Sequence, residues 1–93
     1  MSTDIQIQHR PEIGRFEAIV DGLRCEADYQ LDGTTMLMTH TGVPRELEGR
    51  GIAAQLVKAA LAWAREQGLR VRPLCSYVDA YMRRHTEWQD LRA

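Results

Sequence analysis

Two glycines one residue apart, Gly49 and Gly51, lie in the stretch Val43-Pro44-Arg45-Glu46-Leu47-Glu48-Gly49-Arg50-Gly51-Ile52-Ala53, between a strand-like run and a long helical pattern. Glycine lets a backbone approach a ligand closely, and the unpaired N–H groups of a first helical turn point the same way as the positive end of the helix dipole. Such a corner suits a pyrophosphate. Each interaction of this kind contributes about 0.3 to 1 kcal/mol to holding an anion at an exposed site, rising toward 2 when partly buried. The same two glycines equally permit a plain strand-to-helix turn. The stretch is not a dinucleotide-binding fingerprint, because the third glycine is missing, and no Gly-Lys-Ser/Thr follows as in a P-loop.

Further along, Cys75 follows Pro73-Leu74 at the mouth of a second helical pattern, where a helix N-terminus lowers a thiol's pKa and favours thiolate. The plain alternative is a buried cysteine acting as a small hydrophobe. Tyr77 and Tyr81 on that helix can donate a proton, and His40 and His85 can accept one near neutral pH. Helical tyrosines also serve as core or rim residues, and a partly exposed histidine is commonly a neutral structural one. Arg83-Arg84-His85 makes a basic helix end, solvated by default and able to meet an anion.

These groups need elements to position them. Residues 5–9, 15–20, 23–31 and 34–41 are short runs rich in β-branched and aromatic side chains, separated by Pro11-Glu12-Ile13-Gly14, Asp21-Gly22 and Asp32-Gly33. Asp-Gly between such runs signals a tight hairpin. Phe16, Ala18 and Val20 fall on one face of their strand, and alternation puts Met36, Met38 and His40 together on one face of theirs. After Gly42 the period changes: Ile52, Leu56, Ala60 and Trp63 recur at helical spacing, flanked by Ala53, Val57 and Leu61, until Gln67-Gly68. Residues 69–72 read as a brief fifth strand ended by Pro73, residues 75–85 as a second helix, and the tail 86–93 as its extension, with Trp63 in the core and Trp88 capping it. The expected fold is α+β: a four-stranded antiparallel meander, a long helix, a right-handed crossover to a fifth strand parallel to the fourth, and a C-terminal helix.

Composition narrows the functions available. A chain of 93 residues accommodates one domain and is too short for two cores, so residues 1–93 are expected to form a single unit. Twelve Lys and Arg against thirteen Asp and Glu leave a formal charge of -1, so no global positive field gathers nucleic acid or anionic membrane, and any anion must be held locally. Two cysteines without metal-ligand spacing point to a reducing cytoplasm and to no metal. No apolar run approaches the roughly twenty residues that span a bilayer, and residues 1–10 lack the order of a signal peptide.

Val43-Pro44, Gly49-x-Gly51-Ile52-Ala53 and Leu56-Val57 resemble the acetyl-CoA-binding motif of GNAT N-acetyltransferases. The stretch THTGVPRELEGRGIAAQLV, followed by PLCSYVDAYMRRH, is similar to the small, roughly hundred-residue branch of that superfamily. The resemblance implies a GNAT-like fold, acetyl-CoA as coenzyme, and transfer of an acetyl group to an amine on a small molecule or a protein. In that superfamily the strand before the loop splays from its neighbour, freeing backbone groups for the pantetheine arm, while loop amides hold the pyrophosphate. Carried over, Thr41, Gly42 and Val43 line the arm, Gly49, Arg50, Gly51, Ile52 and Ala53 surround the pyrophosphate, and the Arg50 side chain is an additional phosphate partner. Cys75 matches the cysteine proposed for catalysis in the small branch, with Tyr81 and His40 as proton donor and base. Glu46 departs from the pattern, standing where the superfamily usually has Gln or Arg, and a carboxylate beside phosphate is unfavourable unless it points away. The chain is expected to work as a monomer or weak homodimer. A competing reading keeps the fold and coenzyme pocket without chemistry, as a binding module.

Overall fold

The computed structural model describes residues 4–93. Strands β1 (Gln8–Arg10), β2 (Arg15–Val20), β3 (Leu23–Asp32) and β4 (Thr35–Gly42) form an antiparallel meander, followed by a 3-10 turn at Arg45–Leu47 and helix α1 (Ile52–Glu66). Strand β5 (Arg70–Pro73) then pairs parallel to β4 at the sheet's edge, and helix α2 (Ser76–Arg84) and a 3-10 segment (Thr86–Leu91) complete the chain. The β2–β3 hairpin closes through Asp21 and Gly22, both with positive φ, at 52° and 77°. Left-handed geometry at both central residues is what a two-residue turn needs to match the twist of its strands, and Asp-Gly supplies it at little cost.

One face of the sheet is apolar and covered. Phe16, Ala18 and Val20 of β2, Cys25, Ala27 and Tyr29 of β3, Met36 and Met38 of β4 and Val71 of β5 form a single core cluster with Ile52, Leu56, Val57, Ala60, Leu61 and Ala64 of α1 and Val78, Tyr81 and Met82 of α2. The helical spacing of the α1 residues and the two-residue spacing of the strand residues are the same pattern seen from opposite sides of this interface. Each fully buried Leu, Ile or Val contributes about 1.5 to 3 kcal/mol, so the α1 stripe supplies much of the drive for docking. The other face is polar and laced with ion pairs, among them Arg10–Glu17 at 2.8 Å, Arg15–Asp28 at 2.8 Å and Arg24–Glu26 at 3.1 Å.

A bulge in β4 corrects the alternation read from the sequence. Asp28 pairs with His40 but Tyr29 pairs with Met38, so Thr39 is an extra residue, and its hydroxyl donates to the Asp28 carbonyl at 3.3 Å. One extra residue inverts the side-chain parity beyond it. Thr41 therefore sits opposite buried Ala27 on the helix side, whereas His40 emerges on the open face beside Asp28 and Glu26, away from Met36 and Met38.

Two other expectations change. The tail does not extend α2: His85 leaves helical geometry at φ −108°, ψ 85°, and the Ala93 N–H bonds the Val71 carbonyl at 2.8 Å, so the last residues cover the exposed edge of β5. Trp63 is half-buried and is packed by His9, Phe16 and Tyr29 rather than by Trp88, over which the Arg65 guanidinium lies at 4.6 Å. His9 stacks on Phe16 at 4.0 Å, and its Nε2 lies 2.6 Å from the Tyr29 hydroxyl. Burial lowers the His9 pKa, with Glu12 opposing weakly. A histidine whose folded pKa lies below its unfolded value of 6.5 leaves stability intact above that pH and erodes it as the unfolded chain takes up the proton first. The melting temperature should therefore fall more between pH 7 and 5.5 for the wild type than for His9→Gln. Equal falls would show that His9 is not the titrating group.

Candidate functional site

The site begins where β4 and β5 part. Their pairing ends at Met38↔Pro73, after which the Leu74 and Cys75 N–H groups both donate to the Met38 carbonyl, at 3.0 and 2.9 Å, and the chain turns into α2. Proline has no N–H to continue a ladder, and the Met38 carbonyl instead accepts two hydrogen bonds from the residues that follow Pro73. β4 itself runs on through Gly42, which leaves a notch beside residues Thr39 to Gly42 on the side β5 would have occupied.

Cys75 stands at the notch as the residue preceding α2, half-buried, with its Sγ 3.4 Å from the Thr41 Oγ1. Burial pushes the thiol's pKa up, but the Thr41 hydroxyl and the Val78, Tyr77 and Thr41 amides outweigh it, and the pKa is lowered from its ordinary 9.0. The thiol makes no side-chain capping bond to the helix. Cys25, the second thiol, is fully buried and shifted the opposite way by desolvation.

Above the notch the loop is anchored by Leu47, which is buried, and Gly49 and Gly51 take left-handed conformations at φ 84° and 75°. Gly51 is the N-cap of α1 and carries no side chain to satisfy the first turn. The first intrahelical bond runs from the Gln55 N–H to the Gly51 carbonyl at 3.2 Å, so the N–H groups of Ile52, Ala53 and Ala54 have no acceptor within the helix. No acidic residue occupies this first turn, where carboxylates ordinarily compensate the dipole. The helix thus presents an uncompensated positive end.

That end opens on a cleft of about 460 Å³. Of the residues that the resemblance set around the coenzyme, Thr41, Val43, Gly49, Gly51, Ile52 and Ala53 line it, and Leu47, Glu48 and Tyr77 line it as well. Two expected members are elsewhere. Gly42 faces the open side of the sheet, where a Cβ would come within 3.0 Å of the His40 Nε2, and the Arg50 side chain is drawn to the β2–β3 turn by Asp21 at 3.1 Å. Glu46 is exposed and does not line the cleft; the carboxylate that does is Glu48.

The candidate catalytic residues separate in the same way. Tyr81 does not line this cleft: it is buried against the core and stacked on His85 at 4.2 Å. Tyr77, 39% exposed, is the tyrosine that does. The α2 pattern held this signal, because Val78, Tyr81 and Met82 form the buried stripe and leave Tyr77 at its flank. Burial raises the Tyr77 phenol's pKa, only partly offset by Arg84, so it is protonated at neutral pH. His40 lies across the sheet from Thr41, 55% exposed, its Nε2 3.3 Å from the Glu26 Oε2.

A family model described as GCN5-related N-acetyl-transferase matches residues 15–91, which takes in β2, the notch, the loop and both helices. The chain belongs to the GCN5-related N-acetyltransferase family. Its relatives include Protein NATD1 of Xenopus tropicalis, 32% identical over 85 residues covering 88% of this chain and 78% of that one. Protein NATD1 of Gallus gallus is 33% identical over 82 residues, covering 85% and 74% of the two chains. The NMR solution structure of a GCN5-like protein from Staphylococcus aureus superimposes with a TM-score of 0.74 at 29% identity, covering 97% of this chain and 87% of that one. The fold is therefore that of GCN5-related N-acetyltransferases, with β5 parallel to β4 and the notch between them.

Proposed function

We propose that the chain binds acetyl-coenzyme A and transfers its acetyl group to an amine, on a small molecule or a protein. The observation that carries this reading is the start of α1: the Ile52, Ala53 and Ala54 amides without helical acceptors, next to two left-handed glycines, at the head of a cleft that runs down to the notch. A diphosphate fits that corner electrostatically. The pantetheine arm, with its own amide groups, pairs with the free edge of β4 in the manner of an added strand. Membership of the GCN5-related family supports acetyl transfer as the reaction.

In that reaction the acceptor nitrogen bonds to the thioester carbonyl carbon, the carbon–sulfur bond breaks, coenzyme A leaves as thiolate and takes up a proton, and the amine gives one up. Tyr77, protonated and lining the cleft, is the proton donor to the leaving sulfur. His40, on the open face with Glu26 beside it, is the base for an amine approaching from that side. Cys75 offers a two-step route that its lowered pKa and its place at the notch favour: its thiolate attacks first and releases coenzyme A, and the amine then attacks acetyl-Cys75.

Titration with coenzyme A followed by amide chemical shifts tests the reading directly. The largest changes are expected between Thr41 and Ala54, together with a higher melting temperature from preferential binding to the folded chain. No binding at millimolar coenzyme would remove it. Binding without product across a panel of amines and peptides would replace it by a coenzyme-binding module.

A further inference from the structure

The open face of the sheet carries a second constellation, on the side away from the cleft. Among the described residues, Glu26 and Asp28 of β3 and His40 of β4 bring three donor atoms within 4.8 Å of one another. Cross-strand register builds this group. Asp28 pairs with His40 and Glu26 with Gly42, so the two carboxylates, two residues apart on β3, project from the same face as the imidazole. Without the extra residue at Thr39, His40 would face the helices and only the carboxylates would remain. Cysteine spacing, which pointed to no metal, says nothing of such a group, because positions 26, 28 and 40 meet only through the strands.

Gly42 makes room beside it. Its φ is not left-handed, so backbone geometry does not call for glycine at this position. A Cβ there would lie 3.0 Å from the His40 Nε2 and 3.4 Å from the Glu26 Oε2, filling the space that both atoms border. The two atoms are themselves 3.3 Å apart, a separation that bonds of about 2.0 to 2.2 Å to one tetrahedral ion allow. The outer oxygens are tied back: the Arg15 Nε donates to the Asp28 Oδ1 at 2.8 Å, and the Arg24 Nε donates to the Glu26 Oε1 at 3.1 Å. Each bond orients a carboxylate and leaves its second oxygen for a cation. The guanidinium charges weaken any cation held by charge alone, so the imidazole nitrogen supplies the selectivity.

We propose that Glu26, Asp28 and His40 form a zinc site on the open face of the sheet. One imidazole nitrogen beside two carboxylate oxygens suits zinc, with water in the fourth position, whereas magnesium and calcium favour oxygen alone. The site needs no coenzyme and stands whether or not acetyl transfer does. Where both hold, zinc and the proton of the acceptor amine compete for one nitrogen.

Titration of the full chain with zinc, without coenzyme, followed by calorimetry and by the imidazole ring resonances, tests this. A single zinc should bind, shifting the His40 ring and leaving those of His9 and His85 in place. Glu26→Gln, Asp28→Asn and His40→Gln should each weaken binding by at least about tenfold, and Gly42→Ala, which sets a methyl between two ligand atoms, by a similar factor. Cys75→Ser should bind as the wild type does, and melting temperatures without zinc check that each variant is folded. Zinc that shifts the His9 or His85 ring instead, or that binds less tightly to Cys75→Ser, would place the ion elsewhere and overturn the site. Affinity that survives any of the three ligand substitutions in a folded chain would overturn it too. So would magnesium binding as tightly as zinc, or no binding at millimolar zinc.

Discussion

Gly51→Glu is expected to abolish coenzyme binding, lowering affinity by at least about a hundredfold, while the folded chain persists. Gly51 is the N-cap of α1 and lines the cleft, and a Cβ built on it meets no heavy atom within 4 Å. A side chain there has room, and the room is the space proposed for the diphosphate. Glutamate fills it with carbon and brings a negative charge against the anion, cancelling the helix end that Ile52, Ala53 and Ala54 present. The backbone at φ 75° strains any L-residue by about 1 to 2 kcal/mol, so the variant is also less stable than the wild type. Gly51→Ala carries the same strain without charge or bulk. The two variants should therefore melt at similar temperatures without ligand, and only the alanine variant should be raised appreciably by coenzyme A. A glutamate variant stabilised by coenzyme as much as the wild type would mean that the diphosphate lies elsewhere.

The parts of this site that could be read from the sequence are those fixed by local chemistry. Asp21-Gly22 announced its turn because few dipeptides tolerate two positive φ values in succession, and the spacing of Ile52, Leu56 and Ala60 announced α1 because only a helix brings those side chains to one face. Gly49 and Gly51 marked the loop for the same reason. What stayed hidden depends on partners distant in sequence. His40 was read on the wrong face because nothing around Thr39 signals a bulge; the extra residue appears only when β4 is laid against β3. Arg50, expected as a phosphate partner, has its side chain paired with Asp21 of the β2–β3 turn at 3.1 Å, a contact between segments distant in sequence. Tyr81 falls in the buried stripe with Val78 and Met82 and Tyr77 at its flank, a pattern legible in α2 itself, but which cleft that flank faces is set by packing.

The bulge also gives the site two sides. Because parity inverts at Thr39, consecutive residues of β4 serve different surfaces: Thr41 meets Cys75 on the helix side, and His40 meets Glu26 on the open side. A regular strand would have sent Thr41 to the open face and lost its contact with the thiol. On the proposed reading, an acyl group held at the notch where β5 stops would meet the thiol from one side and an amine from the other. Glu48, the one carboxylate lining the cleft among the described residues, stands in the loop, where its charge opposes an anion.

Replacing Cys75 by alanine should lower the rate of acetyl transfer by about a hundredfold or more, with coenzyme affinity kept within about threefold. The expectation rests on three neighbours acting together: the Thr41 hydroxyl at 3.4 Å, the amides at the start of α2, and the Thr41 amide on the free edge of β4, which hold the thiol's pKa below 9.0 despite burial. On the proposed two-step route the thiolate is the nucleophile, so the wild-type rate should hold its plateau to a lower pH than an ordinary thiol allows, and decline as pH falls through the depressed pKa. Cys75→Ser separates chemistry from folding. Serine is a better helix N-cap than cysteine and retains the partner for Thr41, so the variant should melt no lower than the wild type, yet its hydroxyl stays protonated and transfer should fall nearly as far as in Cys75→Ala. Mass spectrometry after incubation with acetyl-coenzyme A and no acceptor should find the acetyl group on Cys75 and none on buried Cys25. Transfer that survives in Cys75→Ala at the wild-type rate would reject the thiol as first acceptor and leave the direct route, in which case His40→Gln, on the opposite side of the strand, is the substitution that should stop the reaction.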